Sequence, residues 1–292
     1  MTERLPGGKD AGAELVEGTV RRPVRAWTRA VHDLLRHLEH RGFAGAPRAL
    51  GFDDRGREVL THLRGETVGR REPWPAWTHS TPALDDVGRW LRDYHDAVAD
   101  HVPAVDAAWR EGGQWKPGLI IGQGDPAPYN AVWTRQGLVG LIDWDNAGPV
   151  HADDDLAWVV FSWTPLHAAE VVEREGFTAF SKRKERLERL LRAYGWSGTT
   201  EQMLTRVDAR LRHQVTTMRA IAAAGDPAYQ RMLEQQLDHA LESARAQLAA
   251  VSWCFCGCDP RARSPTLPES GRSDRVTVAL HASGRCRSPT GR

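Results

Sequence analysis

Apolar positions change their spacing near residue 64, and the structure they predict changes with them. Before that point the runs are short and punctuated by turn residues. Leu15-Val16 and Thr19-Val20 flank Glu17-Gly18, which predicts a strand hairpin over 14–22. Val31, Leu34, Leu35 and Leu38 then fall at i, i+3, i+4, i+7, predicting a helix capped by Thr28 and stopped by Gly42. Two further strands, 49–52 and 58–63, flank the turn Asp53-Asp54-Arg55-Gly56. This first portion reads as a small sheet with one helix packed on it. Residues 64–78 are rich in Gly, Pro, Trp and charge without either period, and read as a connector.

Beyond the connector the helical period dominates. Val87, Trp90, Leu91, Tyr94 and Val98 form the stripe of a helix that Thr81 should cap, with Pro82 at its first position. Residues 117–143 are short apolar runs around a polar loop. From Asp154 onward the stripes are Leu187-Leu190-Leu191-Tyr194, Leu204-Val207-Leu211-Val215-Met218 and Leu233-Leu237-Leu241-Leu248, the last two separated by Gly225-Asp226-Pro227. Residues 253–292 lose all period and are dominated by Arg, Ser, Pro and Gly, so a disordered tail is expected. The pattern divides the chain into a sheet-and-helix lobe at 1–65, a connector at 66–78, a helix-rich lobe at 79–252 and the tail.

Composition narrows the function classes. Thirty-nine basic residues against 38 acidic ones leave a formal charge of +1, no field to recruit nucleic acid or an anionic membrane. No apolar run reaches the roughly 18 residues of a membrane span, and residues 1–17 hold no apolar leader, so a cytoplasmic location is expected. The four cysteines all lie at or beyond position 254. Cys254, Cys256 and Cys258 do not form a C-x-x-C pair, and read as a chance cluster or a small metal site in the tail.

The informative segment is Gly122-Gln-Gly-Asp-Pro-Ala-Pro-Tyr-Asn130, followed by Ala-Val-Trp, a turn at Gln136-Gly137, and Leu138-Val-Gly-Leu-Ile-Asp143-Trp-Asp145. Asp125 precedes Asn130 by five positions in a proline-stiffened loop, and a hairpin delivers Asp143 at the end of an apolar strand. Phosphoryl transfer needs such parts: a carboxylate to orient and deprotonate an acceptor hydroxyl, and hard oxygen ligands for Mg²⁺. The spacing Asp-x₄-Asn is also that of a kinase catalytic loop. Alone it is weak; with the hairpin and the second acid it points to chemistry more than to a surface turn.

Gly124-Asp125-x₄-Asn130, Ile142-Asp143-Trp144-Asp145 and Asp155-Leu156-Ala157, with Thr19 to Pro23 and Trp90 to His95 upstream, resemble the aminoglycoside phosphotransferase-like family of small-molecule kinases. The resemblance implies an α+β, bilobal, protein-kinase-like fold with a small antiparallel-sheet lobe and a helix-rich lobe. It implies that ATP or GTP occupies the cleft and a small hydroxylated acceptor the helical lobe. In its terms Asp125 is the catalytic base, Asn130 and Asp143 are Mg²⁺ ligands, and Gly7-Gly8 is the loop covering the phosphates. Asp145 would face a second metal or a cationic acceptor, and Asp155 would prop the catalytic loop.

Three positions depart from that pattern. Gln123 stands where the family has His, and its amide can still brace the loop by hydrogen bonding to backbone. No lysine is available to grip phosphate. Arg21 occupies its place with Arg22 beside it, either as a rebuilt phosphate contact or as a solvated strand arginine. The first helix offers His32 and Asp33 in place of an acid that should pair with that cation, and solvent-facing positions are the expectation for both. The reading is a phosphotransferase moving the γ-phosphate of ATP or GTP to a hydroxyl of a small molecule, an aminoglycoside or similar amino alcohol or sugar, in the manner of antibiotic resistance. The alternative is a catalytically reduced kinase-fold protein serving immunity or regulation.

Overall fold

Turn chemistry forms the first hairpin as the sequence predicts. Glu17 and Gly18 both take positive φ (51° and 78°), and join β2 (Glu14–Val16) to β3 (Thr19–Arg22). β1 (Thr2–Arg4), β4 (Ala49–Phe52) and β5 (Glu58–Thr61) complete an antiparallel sheet in the order β1-β2-β3-β5-β4. The computed structural model describes residues 2–4, 12–69 and 71–250. Gly7, Gly8, the tail over 253–292 and its cysteines lie outside them.

Helix α1 (Thr28–His40) crosses the sheet and buries Val31, Leu34, Leu35 and Leu38. Its cap position is Trp27, not Thr28; the Thr28 hydroxyl instead accepts the Arg25 N–H at 2.9 Å. Gly42 ends the helix in the left-handed region, φ 74°. The chain then makes a close approach that joins the sheet to the rest of the molecule. The Gly45 carbonyl accepts from Leu141 N at 3.1 Å and from the Trp90 indole at 2.9 Å. A side chain at Gly140 would strike that carbonyl, so only glycine fits there.

The helical part is organised on α2 (Thr81–Val98), whose Leu84, Val87, Leu91, Tyr94 and Val98 are fully enclosed. Its cap is Ser80, which accepts the Ala83 N–H at 3.3 Å and puts Pro82 in the first turn, where no hydrogen bond is lost. Against α2 pack α3 (Ala152–Trp163) and α5 (Arg183–Tyr194), with the short α4 (Ala169–Arg174) between them in sequence. Gly88 lets α5 come close: a Cβ there would lie 2.7 Å from that of Ala193. α6 (Thr200–Ala223), opened by a Thr199/Gln202 capping box, packs on α3 and on the two helices that follow it. The stripe predicted as one helix over 233–248 is two, α7 (Pro227–Glu234) and α8 (Leu237–Ala250). Gln236 at φ 57° separates them; apolar spacing survives such a corner, so the stripe alone does not reveal it.

Four short strands, in two pairs, frame the loop that carries the candidate chemistry. β6 (Ile120–Gly122) pairs with β9 (Gly148–Val150), and β7 (Ala131–Thr134) forms a hairpin with β8 (Gly137–Leu141) across the predicted turn. Among the described residues no helix is long and apolar enough to cross a membrane.

Candidate active site

Gly124 makes the loop possible. It sits at φ 87°, and a Cβ there would collide with the Asn146 carbonyl, so the backbones of the two polar segments nearly touch. A single turn of 3₁₀ helix, Pro128–Asn130, then brings Asn130 back beneath Asp125. The Asn130 amide donates to the Asp125 carbonyl at 2.9 Å and to its Oδ2 at 3.2 Å. Oδ1 accepts from the Tyr129 hydroxyl at 2.7 Å and from the Trp158 indole at 3.2 Å. Asp125 is 9% exposed. Its carboxylate is therefore oriented by three donors, two of which the sequence did not single out. Enclosure by protein, then the charge of Asp125, holds the Tyr129 phenol well above its usual pKa, so it stays the donor.

Gln123 is fully buried, and it ties this loop to the second acidic segment. Its carbonyl oxygen accepts the Asp125 N–H at 2.8 Å, while its amide donates to the carbonyls of Ile142 (3.1 Å) and Asp143 (2.8 Å). One neutral side chain satisfies three backbone groups that would otherwise be orphaned inside the protein.

Asp143 itself adopts a left-handed backbone, φ 58°, which turns its carboxylate out of the strand direction; the side chain is 44% exposed. Crowding by the protein around it, then the charge of Asp145 and more weakly that of Asp125, raises its pKa to about 6, against the pull of Arg22. Two further carboxylates, Asp145 and Asp125, thus act on Asp143, opposed by Arg22 and Arg110.

The arginine that meets these acids is Arg22. Its Nη2 lies 2.6 Å from Asp145, its Nη1 3.6 Å from Asp143, and its Nε 2.6 Å from Glu58 on β5. Burial pulls the guanidinium pKa down, but Asp145, Glu58 and Asp143 together hold it above the usual value. Arg21 leaves the opposite face of the strand and reaches Asp53 at 3.4 Å. Alternation along β3 sends the two arginines to opposite faces: Arg22 meets Glu58 and the acids of the loop, while Arg21, left by the sequence as a phosphate contact or a solvated strand arginine, meets Asp53. His32, expected at the surface, is 1% exposed and bonds Glu58 at 3.0 Å. Asp145 is held by Arg22, leaving Asp143 as the more open of the two acids.

Asp155 lies under the loop, 2% exposed, with its carboxylate 2.7 Å from where a Gly122 Cβ would stand. It pairs with His95 at 3.1 Å, whose other nitrogen meets the Tyr194 hydroxyl at 2.9 Å. Asp153 and Asp154 turn away, to Arg206. Among the described residues no three His, Cys, Asp or Glu side chains converge as a metal cage. Mg²⁺ commonly uses one or two protein oxygens and leaves the remaining positions to water and phosphate. The donor set fits: Asn130 Oδ1 makes no hydrogen bond among those found, and the Asp143 carboxylate is open.

Comparison with known proteins agrees with this geometry at the level of fold. No family model matches the chain. The structure of an aminoglycoside 2'-phosphotransferase-IIIa in its GDP complex aligns at a TM-score of 0.56 and 14% identity, over 85% of this chain and 93% of that one. An amicoumacin kinase in complex with AMP-PNP and Ca²⁺ aligns at 0.52 and 11% identity, over 83% and 87%. In sequence, a trifolitoxin immunity protein of Rhizobium leguminosarum bv. trifolii is 40% identical over 199 residues, 66% of this chain and 74% of that protein. The chain therefore has the kinase-like fold of the aminoglycoside phosphotransferases and belongs to the family of the trifolitoxin immunity protein.

Proposed function

We propose that the protein is a Mg²⁺-dependent phosphotransferase that moves the γ-phosphate of ATP or GTP to a hydroxyl of a small toxic molecule, and protects the cell by doing so. The observation that carries this reading is the joining of Asp125, Asn130 and Asp143: Asn130 bonds Asp125, Gln123 ties Asp125 to the Asp143 backbone, and Arg22 reaches Asp143 and Asp145 from the sheet. Asp125 orients an acceptor hydroxyl and takes its proton; Tyr129, Trp158 and Asn130 keep its carboxylate from rotating. Asn130 and Asp143 hold the metal, which when bound screens the phosphate charge. Arg22, not Arg21, supplies the phosphate contact. The protective role is supported by the sequence relative, an immunity protein, and the transfer chemistry by the fold's small-molecule kinases.

A second reading rests on that same relative: a kinase-fold protein that confers immunity by binding a toxin without transfer. Asp125 separates the two. A carboxylate that touches the acceptor contributes mainly in the transition state. Asp125→Ala should bind Mg·ATP or Mg·GTP like the parent and lose at least ~100-fold in phosphate transfer, measured as nucleotide consumption over a panel of hydroxylated amines, sugars and peptides. A parent that binds nucleotide but consumes none above background with any of them supports the binding protein instead.

A further inference from the structure

Glu58 and Arg22 are directly opposite one another across β3 and β5, so their side chains leave the same face of the sheet. Glu58 uses both oxygens: Oε1 lies 2.6 Å from Arg22 Nε, and Oε2 lies 3.0 Å from His32 Nε2 on α1. A carboxylate only accepts, so His32 Nε2 carries the hydrogen and donates. Glu58 and His32 are each 1% exposed, and the Arg22 side chain is 17% exposed. His32 stacks on Phe52 with ring centroids 5.1 Å apart, and its other nitrogen has no partner among the described residues. The imidazole is thus held by stacking and by its one bond to Glu58.

This leaves the three nitrogens of Arg22 in different positions. Nε is ion-paired with Glu58 at 2.6 Å without a directed hydrogen bond, Nη2 donates to Asp145 at 2.6 Å, and Nη1 is only loosely opposed by Asp143 at 3.6 Å. Without Glu58 nothing on the sheet would restrain the guanidinium, and two aspartates would draw its planar fork fully onto themselves.

We propose that Glu58 and His32 are a positioning pair for Arg22, holding its Nε edge so that Nη1 stays available to a phosphate oxygen of the nucleotide and Asp143 is not sealed. This rests on the reading that the protein binds nucleoside triphosphate. The carboxylate that aligns the phosphate-gripping cation comes from strand β5, and α1 contributes a donor that aligns the carboxylate. Buried partners of this kind shift ligand affinity about 10–100-fold when removed.

The test is a double-mutant cycle on nucleotide affinity. Mg·ATP and Mg·GTP are titrated by calorimetry into the parent, Glu58→Gln, Arg22→Ala and the double variant, well below each melting temperature. Glu58→Gln should bind at least ~10-fold more weakly, and should add nothing in the Arg22→Ala background. His32→Leu should weaken binding in the same way, with His32→Gln recovering most of the loss because its amide still donates; this arm serves alone if Glu58→Gln does not fold. A merely structural pair would lower melting temperatures and leave affinity unchanged. Parent-like affinity in Glu58→Gln, or a loss that adds to that of Arg22→Ala, overturns the pair while leaving nucleotide binding standing. A parent that binds neither nucleotide overturns the proposed function itself.

Discussion

Two regions flank Asp125, and both hold buried arginines in opposite circumstances. Toward the sheet, Arg22 faces three carboxylates: Glu58, Asp143 and Asp145. Toward α5, Arg183 and Arg186 have no carboxylate partner among the described residues. Arg186, 7% exposed, donates to the carbonyls of His79 (2.6 Å) and Trp163 (3.0 Å), and Arg183 donates to that of His167 (2.9 Å). Burial lowers both guanidinium pKa values to about 10, so both remain charged at neutral pH. Aromatic contacts link this second region to Asp125. Trp74 packs edge-on to Tyr129 and stacks on His79, and Trp158 packs on Phe161, which meets His167. The contrast teaches that burial of a cation does not mark chemistry. What matters is whether its partners are fixed backbone carbonyls, which use it as a tie, or carboxylates that a metal and phosphate can rearrange.

Five substitutions test that contrast, beginning with the largest effect. Asp143→Ala should abolish the Mg²⁺-dependent part of nucleotide binding in a folded protein, because Asn130 alone offers one neutral oxygen. Unchanged Mg·nucleotide affinity by calorimetry would move the metal site elsewhere. Arg186→Met should cost about 3 kcal/mol of stability by leaving two buried carbonyls unpaired, with nucleotide affinity unaltered. A loss of nucleotide affinity at full stability would put Arg186 in the ligand site and erase the distinction between the regions.

Arg22→Ala should weaken nucleotide binding by about 2 kcal/mol, as for a charge-assisted phosphate contact, and Arg21→Ala by much less. The reverse order would mean that β3 binds ligand in the other register. The last effect is seen only as a pH dependence and concerns Glu175 beside His79. Burial first, then Glu72, raises its pKa to about 7 against the pull of Arg174, where the free side chain titrates at 4.5. Between those values the folded protein keeps a proton that the unfolded chain has lost, so stability falls as pH rises through this window. Glu175→Gln should flatten that decline, by at most about 3 kcal/mol, in melting curves taken from pH 4 to 8. A parent and variant with parallel curves would show Glu175 to be solvated.

The sequence by itself determined the elements and the acids. The Glu17-Gly18 turn, the α1 and α2 stripes and the β7–β8 hairpin depend on local period and turn chemistry, which are written in neighbouring residues. Asp125, Asn130 and Asp143 were legible for the same reason: loop and hairpin are contiguous, so their spacing carries the geometry. Gln123 as a brace was legible through the resemblance, which puts a hydrogen-bonding side chain at that position, and its amide bonds the backbone of both acidic segments. The tertiary structure alone decided which side chains meet across distance. Whether Arg21 or Arg22 enters the cleft depends on the pairing of β3 with β5, where a shift of one residue exchanges the two faces. Glu58 lies 36 residues after Arg22, and His32 lies between them on a helix whose rotation only packing sets. Trp158 finds Asp125 because α3 docks against the loop, and the same docking joins His95 to Asp155. These choices are contacts between segments that do not neighbour one another in the chain, and no local period encodes them.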